Sequence, residues 1–193
     1  MDTKNNINLE IGKNEEVVYP FVWINGEKED VNIKVVLGEN ASFLLCGIFL
    51  GDKDHQIVFN TDVTHKGQYT KSLTTMRGVF FDNAQFNNDG VVSIIKGAKN
   101  ADGYFQSKIL LFDNARGRSV PSLEIDENEV KAGHGSTIGR PDANQLFYLQ
   151  SRGLTEKQAT TLIVSGFFEP IISLLPENRQ QDTRKKIKKF LNE

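Results

Sequence analysis

The chain has 193 residues, 23 of them basic and 25 acidic, and its 38% hydrophobic and 25% charged composition is that of a globular protein. A net charge of −2 gives no electrostatic case for nucleic acid or an anionic membrane surface. The longest apolar stretch, Phe43 to Leu50, is far below the roughly 20 residues that span a bilayer, and one cysteine, Cys46, permits neither an internal disulfide nor a multi-cysteine metal site.

The first segment, Met1 to Asn6, lacks the charged-then-apolar pattern of a signal peptide, so a cytoplasmic protein is expected. Ile7, Leu9 and Ile11 then alternate with polar partners, as do Ile33, Val35 and Leu37, and later Ile57, Phe59, Thr61 and Val63. A period of two places each set on one face of a strand. Pro20 interrupts Val17 to Ile24, which makes that segment an edge strand or a bent one. Val79-Phe80-Phe81, Val91 to Ile95 and Ile109 to Phe112 are continuous apolar runs, as in strands buried more completely. The breaks Gly38-Glu39-Asn40-Ala41, Asp82-Asn83-Ala84, Gly97-Ala98 and Asp113-Asn114-Ala115 each place turn-formers before a small residue. Ala84 to Ala98 is 14 positions and Ala98 to Ala115 is 17. Strand, turn and strand recurring without helices fit a β-solenoid; a sandwich or jelly roll also has many short strands with glycine-rich turns.

After Pro141 the pattern turns helical, and only 2 of the 16 glycines lie beyond Gly139. Asp142 with Gln145, and Thr155 with Gln158, have capping-box spacing. Leu146, Phe147 and Leu149 give a first helix its apolar face, with Gly153 just past its end. A second helix carries Ala159, Leu162, Ile163 and Phe167, and Pro170 and Pro176 bracket a shorter helical turn through Leu174. A basic segment from Asn178 to Leu191 puts Ile187, Phe190 and Leu191 on one side. Residues 141–193 hold 8 basic and 6 acidic side chains, which favours a solvated or partner-docking face over nucleic-acid binding.

Gly133-His134-Gly135-Ser136-Thr137-Ile138-Gly139 carries the most chemistry. It fails as a dinucleotide fingerprint because the third glycine falls one position late, and the chain contains no P-loop. The plain reading is a connector between strand and helix. The alternative rests on His134, whose glycine neighbours leave it sterically open and whose imidazole is a good ligand for iron or zinc. His55 follows Asp52-Lys53-Asp54 and reads as a solvated turn, and His65 reads as a structural strand residue. Cys46, inside the most apolar run, behaves as a small buried hydrophobe. The Asp-Asn pairs lack the acidic density and closing glutamate of a calcium loop, and no nucleophile elbow occurs, so no enzyme signature stands out.

Leu123-Glu124-Ile125, the run Val130 to Gly139, and Gln145-Leu146-Phe147-Tyr148-Leu149-Gln150-Ser151-Arg152-Gly153-Leu154 resemble the SufB/SufD family of iron–sulfur cluster assembly scaffolds, more on the SufD side. The likeness continues through Ala159, Leu162-Ile163 and Gly166-Phe167-Phe168 and covers roughly residues 60–175, with residues 1–55 similar only in general character. It implies a mainly β protein: a parallel β-helix core over 1–125, a connector over 126–141 and a small C-terminal helical region over 142–193. It also implies a shortened, non-enzymatic scaffold subunit. Such a subunit pairs through its β-helix with a SufB-like chain or a second copy of itself and docks a SufC-like ATPase through its helices. His134, Gly135 and Thr137 would lie at the subunit interface, with His134 offering an imidazole to iron or packing there. Phe147, Tyr148, Arg152, Phe167 and Phe168 would meet the ATPase, although Phe147 is the one expected to fill the helical core. Family members commonly carry a cysteine two residues before the histidine; here that residue is Ala132, which cannot coordinate. No cofactor is therefore expected to stay bound to this chain alone, only a transient iron–sulfur cluster at a shared interface. The other readings are a homodimeric β-helix module that no longer handles iron, and a β-helix carbohydrate-active enzyme.

Overall fold

The computed structural model describes residues 3–26 and 28–192, the side chains of residues 3 and 4 excepted. Ten strands follow one another: β1 (Thr3–Ile11), β2 (Glu16–Ile24), β3 (Glu29–Leu37), β4 (Ser42–Gly51), β5 (Gln56–His65), β6 (Lys71–Phe80), β7 (Gln85–Ile94), β8 (Asp102–Leu111), β9 (Arg116–Ile125) and β10 (Lys131–Gly139). The odd strands form one sheet in the order β1-β3-β5-β7-β9, and the even strands form a second in the order β10-β8-β6-β4-β2. All sheet pairings are parallel. The chain thus gives one strand to each sheet per coil and climbs through five coils, a parallel β-helix. Gln85 faces Arg116 across β7 and β9, so the 14- and 17-residue intervals are the two halves of one coil.

The turns follow from the residues that make them. Asn40, Asp82 and Asp113 have φ of 56°, 52° and 48°, the left-handed region that Asn and Asp tolerate best after glycine. The alanines that follow, Ala41 and Ala84, are 1% and 0% exposed, which leaves room for no larger side chain without displacing the core. Inside the coil, Phe49 stands with ring centroids 4.9 Å from Phe59 and 5.1 Å from Phe86, and Phe86 lies 5.5 Å from Phe80. Gly90 makes space for this layer: a Cβ there would come within 2.1 Å of the Phe105 ring.

Edge positions carry the prolines. Pro20 lies in β2 and Pro121 in β9, the outermost strands of their sheets, where a missing N–H breaks no ladder. The segment expected as a connector, 126–141, instead contains β10. Its glycines, histidine and hydroxyl residues show no apolar alternation, and its extended conformation comes from pairing with β8 along its whole length.

Three helices follow: α1 (Ala143–Ser151), α2 (Glu156–Ile172) and α3 (Glu177–Asn192). Asp142 caps α1 by accepting from the Asn144 N–H, and Thr155 with Gln158 closes a full capping box on α2. Pro170 does not end α2 as its sequence position predicts. The flanking Phe168, Ile171 and Ile172 are buried, and that packing outweighs the propensity cost of about 3 kcal/mol for an interior proline. Val164, Phe168, Ile171, Ile187 and Leu191 cover Cys46, Ile48, Leu50 and Val79 on the outer face of the second sheet. Arg77 pins this layer: its guanidinium lies 5.1 Å over the Phe167 ring and donates to the Phe167 carbonyl. Burial lowers the Arg77 pKa from its usual value. No helix among the described residues is long and apolar enough to cross a membrane.

Candidate functional site

The position of His134 is set by register. It lies opposite Phe105 and continues a row running through Tyr19, Leu45, Thr74 and Phe105 on β2, β4, β6 and β8. Leu45, Thr74 and Phe105 are 0%, 1% and 0% exposed, so this row faces the interior of the coil. His134 keeps that orientation but is exposed, because β10 is the last strand of its sheet. Ala132, opposite Gly103, points the same way two residues earlier. Gly135 and Thr137 point to the other face, with Thr137 in a row with Arg77 and Lys108. The three residues grouped by sequence therefore share a strand but not a face.

Glycine neighbours are not what opens His134, since alternation turns residues 133 and 135 away from it. Gly133 instead accommodates Tyr104: a Cβ at 133 would lie 2.6 Å from that ring, whereas one at 135 would meet only the Tyr104 hydroxyl, at 3.6 Å. Nothing in the sequence marks Tyr104 or Arg77 as neighbours of this region; only the register reveals them. The end of the coil exposes apolar surface as well, with Val120 at 40% and Ile125 at 38%. Its outermost strands, β9 and β10, keep one row of backbone groups free of sheet partners. A single imidazole on such an edge can exchange hydrogen bonds or fill one coordination position on a metal. Among the described residues no group of three or more His, Cys, Asp and Glu side chains is placed to hold a metal ion.

The aromatic set divides between surface and interior. Phe147 is 72% exposed and Tyr148 56%, and the Arg152 guanidinium lies 5.2 Å over the Tyr148 ring. The expectation that Phe147 fills the helical core is corrected: α1 contributes no buried residue, and only its Leu146 and Leu149 are half-buried. Phe168 is fully buried, and Phe167 is half-buried beneath Arg77. Phe147, Tyr148 and Arg152 are thus open to another molecule, while Phe167 and Phe168 hold α2 to the sheet.

Of the other reactive residues, Cys46 and His65 are internal and His55 is half-buried in a turn. Cys46 is 0% exposed and its thiol is pushed up to about 11 by burial, so it stays protonated at neutral pH. His55 Nδ1 is 2.8 Å from the Asp52 carbonyl. His65 is fully buried, its Nδ1 2.8 Å from Thr70 Oγ1 and its Nε2 2.8 Å from Ser72 Oγ. The Thr70 hydroxyl donates to the Gly67 carbonyl, so it accepts from Nδ1–H, and Nε2 accepts from Ser72.

The family model for the SufBD core domain of the SUF system for FeS cluster assembly matches residues 5–167. An iron–sulfur cluster assembly SufBD family protein of Pyrococcus horikoshii is 33% identical over 168 residues, 86% of this chain and 37% of that protein. The iron–sulfur cluster assembly protein SufD of Bacillus subtilis is 37% identical over 119 residues, 61% of this chain and 27% of its own. A SufBD family protein of Mycobacterium bovis is 35% identical over 185 residues, covering 90% of this chain and 47% of that protein. The chain spans less than half the length of each of these relatives. The match begins at residue 5, well before the point near 60 where the sequence becomes recognisable, because the first coils carry the fold's pattern without its motifs. A five-coil parallel β-helix ending in the Gly133–Gly139 strand, matched over most of its length by that core domain, makes the chain a member of the SufBD family.

Proposed function

We propose that this chain is a non-enzymatic scaffold subunit of an iron–sulfur cluster assembly complex in the cytoplasm. Its C-terminal coil pairs with a SufB-type chain, and its helices dock a SufC-type ATPase. The observation that carries this reading is the uncapped end of the solenoid: β10 is an edge strand of small residues, with His134 exposed in an interior-facing position. Repeat folds must cover such ends, and a second β-helix is the natural cover. A nascent cluster is cargo here. His134 supplies one imidazole at the seam, and thiolates come from the partner, since Ala132 has none to offer. Ala132 equally favours a second reading, in which the same end pairs two copies of this chain without iron. Anaerobic reconstitution with a SufB-type partner separates the two: His134→Ala lowers cluster yield under the first and leaves it unchanged under the second.

For the ATPase, α1 is the docking face, since Phe147 and Tyr148 are large, exposed and backed by Arg152, the residue types that dominate interfaces. Removing residues 142–193 would strip the apolar face formed by Cys46, Ile48, Leu50 and Val79, so a point substitution is the cleaner test. Phe147→Asp is expected to abolish co-purification with a SufC-type ATPase while leaving the urea midpoint within the range of ordinary surface changes. Retained co-purification would overturn α1 as the docking face.

A further inference from the structure

The turns on one side of the solenoid form a hydrogen-bonded column. The Asn83 N–H donates to the Lys53 carbonyl, and one coil later the Asn114 N–H donates to the Asp82 carbonyl. The next acceptor in the series, the Asp113 carbonyl, takes its hydrogen bond from Arg140 Nη2 at 2.8 Å. Arg140, just past β10, thereby stands where the turn of a further coil would be. Its guanidinium has five N–H donors and this bond uses one.

Beside this column lies an open cleft of about 540 Å³ lined by Asn83, Gln85, Asn114, Arg116 and Arg140, with Asp113 and Ala115 completing the wall. Repetition of the Asp-Asn-Ala turn builds it: Asn83 and Asn114 occupy equivalent places in Asp82-Asn83-Ala84-Gln85 and Asp113-Asn114-Ala115-Arg116, and Gln85 pairs with Arg116 in register. Among the described residues the Arg116 guanidinium has no hydrogen bond or ion pair, and neither do the carboxamides of Asn83, Gln85 and Asn114. The one carboxylate in the wall is Asp113, whose Oδ2 accepts from the Asp82 N–H at 3.2 Å. Two guanidiniums without carboxylate partners and three uncommitted side-chain amides therefore converge on one space. Arginine forks match the geometry of tetrahedral oxyanions, and carboxamide N–H groups add neutral donors.

We propose that this cleft binds a phosphate-type oxyanion, held between Arg116 and Arg140 with Asn83, Gln85 and Asn114 as supporting donors. The cleft is within the size range of small-molecule sites and larger than one phosphate. Its only apolar side chain is Ala115, so it offers no aromatic or aliphatic pocket for a nucleobase. The ligand is pyrophosphate, inorganic phosphate, or the phosphoryl end of a small polyol. Arg140 directly follows β10, so the cleft adjoins the end of that strand, but the anion site does not depend on the scaffold reading.

Calorimetric titration of the whole chain with pyrophosphate, inorganic phosphate and glycerol 3-phosphate, at ionic strength held constant with sodium chloride, tests the proposal. At least one of the three is expected to bind saturably, and Arg116→Gln to weaken it by about tenfold, the loss of one charge-assisted fork. The Arg116 guanidinium makes no hydrogen bond or ion pair among the described residues, so this variant is expected to keep the fold; Lys185→Gln on α3 is expected to leave binding unchanged. Tighter binding of glycerol 3-phosphate than of inorganic phosphate supports the site with a polyol phosphate as its ligand, and the reverse order supports it with the free anion. Absence of saturable binding, binding indifferent to Arg116→Gln, or equal loss in Lys185→Gln would each overturn the proposal.

Discussion

Phe49→Ala is expected to remove about 3–5 kcal/mol of stability, read as a fall in the urea midpoint with unchanged slope. Phe49 is 0% exposed and lies at the centre of the aromatic layer, within 5.8 Å of Phe21, 4.9 Å of Phe59 and 5.1 Å of Phe86 between ring centroids. Those three neighbouring rings come from three strands in both sheets, β2, β5 and β7, so none can move into the vacated space without disturbing a ladder. The cost is therefore transfer of the ring plus a cavity that stays open, in a fold whose whole stability is of order 5–15 kcal/mol. A midpoint shift worth less than about 1 kcal/mol would mean that the layer is loosely packed or the coil collapses around the gap.

Acid is expected to weaken the fold well before its carboxylates titrate. Burial lowers the His65 pKa from 6.5 to about 4, against a smaller upward pull from Asp102. Its neutral form is satisfied on both ring nitrogens by Thr70 and Ser72, and a second ring proton would have to displace the Ser72 O–H. The unfolded chain binds that proton near pH 6.5 and the folded chain near 4, so stability is complete above 6.5 and declines as pH falls between the two. The loss is about 2 kcal/mol by pH 5 and about 3 kcal/mol once both states are protonated. Urea unfolding at pH 7 and pH 5 reads it, and His65→Gln is expected to flatten the difference. Hydrogen bonds to backbone N–H groups and to Arg184 hold Glu127 and Glu169 below the ordinary carboxylate range, and their contribution is lost only at lower pH. An unchanged slope between pH 7 and 5 in His65→Gln would assign the effect to another group.

The solenoid was legible where local chemistry and periodicity agree. Asp82-Asn83-Ala84 and Asp113-Asn114-Ala115 announce turns because only a few residues accept a positive φ, and a small residue follows, buried at Ala84 and half-buried at Ala115. Thr155 with Gln158 marks a helix start for the same local reason. β10 was hidden because alternation is a signal carried by apolar side chains, and Ala132 to Thr137 have almost none. The face that α1 shows to solvent was equally hidden, since Leu146, Phe147 and Leu149 mark an apolar side without saying whether this chain covers it. Pro170 reads as a helix end until the burial of Phe168 and Ile171 around it is known. His134 is exposed as expected, but for a different reason: its exposure comes from the missing strand beyond β10 rather than from its glycine neighbours. Arg140 left no local trace, because its contact with Asp113 joins residues 27 positions apart.

The claim that the C-terminal coil is the pairing surface is tested most directly by backbone hydrogen exchange on the wild-type chain, alone and mixed with a SufB-type partner. Half of the β10 amides point away from β8, and pairing across that edge is expected to slow their exchange at least tenfold, with β1 and β2 at the far end unchanged. A complex that forms while residues 131–139 exchange as fast as in the free chain would contradict the account.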